Sequence, residues 1–382
     1  MYPRMSLDIS FQDLLSVWRA SGTSNENSVA EAWGGARPIQ VGLSVRSLFD
    51  AYLAVKHWPK GASIAFSGVT IDHMVTIARA HGLRVIPLEV DPVTLLPSVE
   101  AVEAACAAGA VAVVITRLFG AVSPLNAIGE VTARHGCELV EDAAQAFAGD
   151  FHRGDPAAQL SLFSFGLIKR ATALGGGVAV FASQTAADAV GKHMARWPRQ
   201  SGRWFFERWV KALALRIATV PPVYAFLFAC LRLAYEEPDH ILGSLARGFP
   251  GDDLLGKIRF RPPPRLLGLL RRRLLQSHRW RCRQATQWHL FATSIGAWNG
   301  IGRGAARHAS WLVAIRDPDP TALRHLLAAH GFDATRGATR LGAIDPNSTS
   351  AVWMDQVVYV PHPVHMTDRA ERRLSLLIAG LR

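Results

Sequence analysis

Cysteine is scarce in this chain of 382 residues, and the four present (Cys106, Cys137, Cys230, Cys282) form no CxxC pair. That argues against a zinc site and a disulfide scaffold, and it fits a reducing cytoplasm. Long apolar runs are also missing. The uncharged, strongly apolar stretch IATVPPVYAFLFACL at 217–231 has 15 residues and is broken by Pro221 and Pro222, short for a membrane span. The first stretch, MYPRMSLDISFQDLL, has early charge but neither an apolar run nor a small-residue cleavage site, so no signal peptide is expected. Acid is absent from KIRFRPPPRLLGLLRRRLLQSHRWRCR, residues 257–283, which holds one lysine and nine arginines. This stretch carries much of the formal net charge of +12. Such a surface attracts nucleic acid, anionic lipid or a phosphorylated substrate. No nucleic-acid motif accompanies it, so the expectation is a solvated helix whose arginines flank Leu266, Leu267, Leu269, Leu270, Leu274 and Leu275, with no nucleic-acid partner. Metal-ligand spacing is absent too. The HPVH of His362 and His365 has no acidic company and reads as loop, so no metal is expected.

What is present is a regular alternation. Hydrophobic residues make up 49% of the chain, enough for one large α/β domain and a smaller one. From 37 to 181, short apolar runs (RPIQVGL, ASIAFS, LRVIPLEV, AVAVVITRL, CELVED) alternate with helical patterns (SVRSLFDAYLAVKHW, TIDHMVTIARAHG, SVEAVEAACAAG, LNAIGEVTARHG). Gly61, Gly82, Gly109 and Gly136 stand where helix C-caps are expected. The alternation predicts βαβ crossovers: an α/β large domain with a mostly parallel sheet flanked by helices. This domain is placed at 1–250, with an aromatic and basic helical insertion over about 195–250 that reads as two helices broken at VPP. LARGFPGDD reads as a boundary loop. A smaller C-terminal α+β domain, 251–382, follows, with strands in SWLVAIRD and VVYVPHP and helices in PTALRHLLAAHG and TDRAERRLSLLIAG.

Four features cluster late in the sheet domain. Glu141 and Asp142 end the strand CELV, and strand carboxyl ends face the ligand crevice of an open parallel sheet. Asp142 therefore either meets a ligand or caps a following helix whose first turn is Ala143 to Gln145. Ser164 in FSF either binds a phosphate or satisfies a backbone group. Lys169 follows Leu167 and Ile168, as a surface charge or as a working amine. Gly175, Gly176 and Gly177 allow a close backbone approach or a plain hairpin turn.

Taken together, VEDAAQAFAGDFHRG…SLFSFGLIKRATALGGGVAVF resembles the active-site stretch of the DegT/DnrJ/EryC1/StrS family. The resemblance is close over about 35–183, loose over 257–382, and does not include 195–256. It implies fold type I, pyridoxal 5'-phosphate as cofactor, and transamination from glutamate or glutamine to a nucleotide-linked keto sugar. It also implies a homodimer with the site at the subunit interface. Carried onto this sequence, Lys169 becomes the Schiff-base lysine and acid–base group, Asp142 the partner of the pyridine nitrogen, Gln145 the residue near the ring hydroxyl, and Ser164 a phosphate ligand. Two departures stand out. The family's phosphate loop usually reads Ser-Gly-Thr-Ala, whereas here Ser44, Val45, Arg46 and Ser47 occupy it, leaving the amides of Val45 and Arg46 and the Arg46 side chain as cofactor ligands. The family also stacks an aromatic ring on the cofactor from the segment GVTIDHM, which has none; Ile71 or His73 is left to cover the ring, and His73 reads equally as a helix-surface residue. Rival readings are a sugar dehydratase on the same scaffold, which the presence of Lys169 disfavours, and a non-catalytic protein. The Trp/Phe/Arg-rich segment 196–235 is expected to pack on the domain or a dimer partner, with peripheral contact to an anionic membrane as the alternative.

Overall fold

The computed structural model describes residues 1–19, 24–234, 253–276, 301–309, 311–361 and 366–379. Most of LARGFPGDD, together with HPVH, Cys282 and residues 277–283 of the basic stretch, lies outside these.

Seven strands form the central sheet: β1 (Ile39–Gly42), β2 (Ser63–Ser67), β4 (Arg84–Leu88), β5 (Ala110–Thr116), β7 (Glu138–Asp142), β8 (Leu160–Ser164) and β9 (Gly177–Phe181), while β3 (Val69–Ile71) and β6 (Ala121–Val122) pair outside it. Their spatial order is β1-β9-β8-β7-β5-β2-β4. The pairings β2–β4, β2–β5, β5–β7 and β7–β8 are parallel, and β9 runs antiparallel to both β1 and β8. β2 and β9 are buried along their whole length, because helices cover both sheet faces. Helices Val45–Lys56 and Asp72–Ala80 seal one face with Leu48, Phe49, Met74 and Ile77; Val99–Ala107 and Asn126–Arg134 seal part of the other with Val102, Ile128 and Val131. The parallel strands β5, β7 and β8 run in register, so Thr116, Asp142 and Ser164 come to the same carboxyl edge.

Three local expectations change. The reading of TIDHMVTIARAHG as helix throughout gives way at its start: Val69–Ile71 is strand β3, paired antiparallel with the distant Leu341–Ala343, and the helix begins at Asp72. A nonlocal partner here overrides local helical periodicity. The helix expected after Asp142 does not form. Residues 144–146 make a single turn, and Gly149 at φ 69° leads the chain away. The helix in the basic stretch, Pro264–Leu275, is not solvated. Leu266, Leu267, Leu269, Leu270 and Leu274 are buried in the sheet-domain core, and only Leu275 of the six faces water. Arg272 and Arg273 reach the Asp13 carboxylate at 2.9 and 2.8 Å, so acids from the N-terminal segment neutralise part of the basic run.

The smaller C-terminal unit pairs Val313–Arg316 antiparallel with Val357–Val360 and packs helices Pro320–Ala329 and Asp368–Ala379 around Leu323, Leu327, Val358 and Leu374. The chain's start also lies on it, with Tyr2 stacked on Phe332 at 5.7 Å. The insertion forms helices Gly202–Ala218 and Pro221–Ala234, meeting at 93° where VPP breaks them. Among the described residues no single helix is long and apolar enough to cross a membrane, although this bent pair passes on length and composition together. The first of the two docks on the domain: Phe205 and Ala212 are buried, and Trp209 Nε1 donates to the Leu14 carbonyl at 2.9 Å. The second is tied to the small unit by Tyr224, whose hydroxyl donates to Asp333.

Candidate active site

At the carboxyl edge of the sheet lies a cavity of about 1030 Å³, roofed by the small unit. Val45, Arg46, Ile71, Asp142, Gln145, Ser164 and Lys169 all line it. Seven of the eight residues singled out in the sequence therefore share one space. His73 does not. Its Nε2 takes a hydrogen bond from the Arg340 guanidinium at 3.1 Å, and burial, with Arg46 and Arg340 nearby, pushes its pKa down to about 4. His73 is a neutral prop for Arg340, not a cover for a bound ring. Ile71 alone of the two candidates faces the cavity.

Two adjacent carboxylates end β7, and the pleat sends them opposite ways. Glu141 enters the protein. Arg117 Nε donates to it at 2.6 Å and His152 lies 2.7 Å away, while Arg117 also donates to Asp155 at 3.1 Å. Burial opposes its charge, but Arg117 and His152 outweigh that and hold Glu141 far below the usual carboxylate range. Asp142 faces the cavity. Its Oδ1 accepts the Ala144 amide at 3.1 Å, a turn contact in place of a helix cap. Burial pushes its carboxyl up, against the pull of the amide, Lys169 and Arg46.

Lys169 sits in a turn closed by its own amide on the Gly166 carbonyl at 2.9 Å. Ala171 and Leu174 just beyond have φ of 52° and 65°, an arrangement non-glycine residues resist. The Asp8 carboxylate holds Ala171 by accepting its amide at 2.6 Å. Burial drives the Lys169 pKa down to about 7; Asp142 resists this and Arg46 adds to it. The amine lies 3.6 Å from the ring centre of Trp311, whose own N–H donates to the Ile168 carbonyl at 2.9 Å. Gln145 is fixed from the far side, because its Oε1 accepts the Phe119 amide at 2.7 Å and its NH2 group is left as the donor end. Ser164 completes the floor, accepting the Gly166 amide at 3.4 Å.

The start of helix Val45–Lys56 supplies the electropositive end. Ser44 caps it, its hydroxyl accepting the Ser47 amide at 3.2 Å. The glycine run serves approach more than bending: a Cβ on Gly177 would stand 2.8 Å from the Val45 nitrogen. Only glycine lets β9 lie so close under that helix start.

Sequence reasoning missed Arg208, Trp311, Arg324, Arg336 and Arg340, all in the cavity wall. Among the described lining residues, five arginines and Lys169 are set against two acids, Asp142 and Asp355, and Asp355 is engaged by Arg336 at 3.2 Å. The wall is thus strongly positive. Arg208 comes from the inserted helix, and the other four missed residues come from the small unit. No short motif marks them, because the fold gathers them from distant segments.

Residues 50–197 match the model of the DegT/DnrJ/EryC1/StrS aminotransferase family. The match ends where the inserted segment begins. The L-glutamine:2-deoxy-scyllo-inosose aminotransferase of Streptomyces kanamyceticus is 33% identical over 126 residues, which is 32% of this chain and 29% of that protein. Among solved structures, a sugar aminotransferase from Micromonospora echinospora superposes over 100% of both chains with TM-score 0.66 and 18% identity. The Helicobacter pylori aminotransferase PseC superposes over 99% of this chain and 98% of its own, with TM-score 0.69 and 12% identity. A GDP-4-keto-6-deoxymannose-3-dehydratase superposes with TM-score 0.69 and 14% identity over 99% of this chain and 100% of its own. These likenesses establish the fold, and the last shows that the fold by itself does not choose the reaction. The matched segment carries both Asp142 and Lys169 into one cavity, and over that segment, less than half of its length, the chain is similar to the DegT/DnrJ/EryC1/StrS aminotransferase family.

Proposed function

We propose that this protein is a pyridoxal-phosphate-dependent aminotransferase that moves an amino group from glutamate or glutamine to a nucleotide-linked keto sugar. The observation that carries the reading is the convergence of Lys169, Asp142, Gln145 and Ser164 in one positively walled cavity. Their chemistry fits the cofactor. An amine of lowered proton affinity suits its aldehyde, a buried carboxylate suits its pyridine nitrogen, and hydroxyl, amide and guanidinium donors suit its phosphate. When bound, the cofactor supplies an electron sink for the carbon next to the transferred nitrogen.

The chain's own residues do the rest. Lys169 Nζ, with a pKa of about 7, is uncharged for much of the time near neutrality and is the attachment point for the aldehyde. The same atom would take the proton from the α-carbon of the amino donor. Asp142 would hold the pyridine nitrogen, and Gln145 would orient the ring from its donor end. Trp311 lies over the amine, its ring centre 3.6 Å from Nζ. Arg324, Arg336 and Arg340 supply positive charge beyond what one cofactor phosphate uses, which supports an anionic acceptor.

The test is a donor and acceptor panel on the cofactor-loaded protein. Glutamate or glutamine should shift its visible spectrum, and nucleotide-linked keto hexoses should then be aminated in preference to a neutral keto-cyclitol. Silence toward every amino donor would sink transamination; preference for the neutral cyclitol would sink the nucleotide-linked acceptor.

The proposal extends to a cytoplasmic homodimer. Phe206, Val210, Ile217 and Phe226 on the inserted helices are 44–69% exposed, an apolar surface of a kind that a second copy covers. Light scattering should give twice the 41.6 kDa chain mass. A single-chain mass, with pelleting on anionic vesicles at low salt, would assign that surface to a membrane instead.

A further inference from the structure

We propose that Arg208, on the inserted helix Gly202–Ala218, joins Arg46 in a two-arginine grip on the phosphate monoester of the cofactor. The inference rests on the cofactor reading above and assigns the insertion a part in it.

The geometry starts from the glycines. Gly175 and Gly176 line the cavity beside Ser44, Val45 and Arg46. A Cβ on Gly175 would come within 2.9 Å of Leu266 Cδ1, 3.5 Å of Trp204 Cη2 and 3.9 Å of Arg208 Nε. The missing side chain makes room for Leu266 of helix Pro264–Leu275, while Trp204 and Arg208 of the inserted helix stand at ordinary contact distance from this turn. Arg208 is then fixed twice: its Nε donates to the Leu174 carbonyl at 2.6 Å, and its guanidinium lies 4.6 Å from the Trp204 ring centre. The group is thereby held at the cavity wall in one orientation, as bidentate recognition of a phosphate requires.

The electrostatics point the same way. Burial lowers the pKa of both Arg46 and Arg208 to about 10, and each stays charged at neutral pH. Arg208 is among the charges that depress Arg46, so two like charges press on one another at one end of the cavity. A dianion between them relieves that repulsion, and the amides at the start of helix Val45–Lys56 add to the same field. Where the family's loop usually offers small residues, this chain has Val45 and Arg46, and the insertion brings the second cation.

The experiment compares pyridoxal 5'-phosphate with pyridoxal, which lacks the phosphate, as ligands of wild type and of Arg208→Gln and Arg208→Lys proteins. Binding is read as the visible band that borohydride bleaches. Arg208→Gln should weaken pyridoxal 5'-phosphate about 10- to 100-fold, the loss expected of a charge-assisted contact, and leave pyridoxal binding within about twofold. Arg208→Lys should recover part of the loss, and unchanged pyridoxal binding certifies that the variants are folded. Equal weakening of both ligands, or no weakening of either, overturns the grip: the first makes Arg208 a structural prop, the second leaves its charge to the substrate. If wild type forms no such band with either ligand, the cofactor reading itself fails and the grip falls with it.

Discussion

A Lys169→Ala protein will show no visible band that borohydride bleaches, and its transamination rate will fall by about 10²–10⁴-fold or more, the range lost with a positioned acid–base group. Spectra and steady-state rates measure both. Its thermal stability should stay near wild type, because the substitution removes a cation that burial already disfavours. The same amine predicts a pH dependence. With a pKa of about 7 in place of the ordinary 10.5, cofactor attachment should speed up as pH rises through 7 and level off above 8. A rate still climbing toward pH 10 would mean that the amine is an ordinary surface lysine. A band that survives in Lys169→Ala would move the attachment elsewhere.

Arg117→Ala will cost about 3–5 kcal/mol of stability, measured by denaturant unfolding, because it strands Glu141 and Asp155 in the interior. Arg117 is 1% exposed and bridges both carboxylates, so no water replaces it. The cluster also sets an acid limit. Glu141 is depressed below its ordinary 4.5, so its contribution is complete above that value. It is lost progressively as pH falls below it, toward the folded-state pKa. Stability unchanged in Arg117→Ala would refute the cluster's role. The contrast between the two variants is instructive. Neighbouring carboxylates at the end of one strand meet different surroundings, Glu141 an ion cluster inside the fold and Asp142 the cavity.

Much of this was legible beforehand, for identifiable reasons. The alternation from β1 to β9 shows in the sequence because each strand is short, apolar and bounded by its own helix stop. Asp142, Gln145, Ser164 and Lys169 lie within 28 residues of each other, so their order could be read as one pattern. What escaped was assembled across the chain. Trp311 covers an amine 142 positions earlier, and nothing in SWLVAIRD hints at that. The strand Val69–Ile71 exists because Leu341–Ala343 pairs with it, and the intervening residues give no sign of the pairing. The buried face of Pro264–Leu275 was hidden by its arginines, whose acidic partners Asp8 and Asp13 stand at the other end of the chain. His73 misled for the opposite reason, since its neighbours in sequence fit the motif while its ring is engaged by Arg340.

The indole over Lys169 ties the site to the roof. Trp311 belongs to the roof of the cavity, yet its N–H grips the carbonyl of Ile168, the residue just before the lysine. The surroundings of the amine are therefore built in part by a segment outside the sheet, from residues far along the chain.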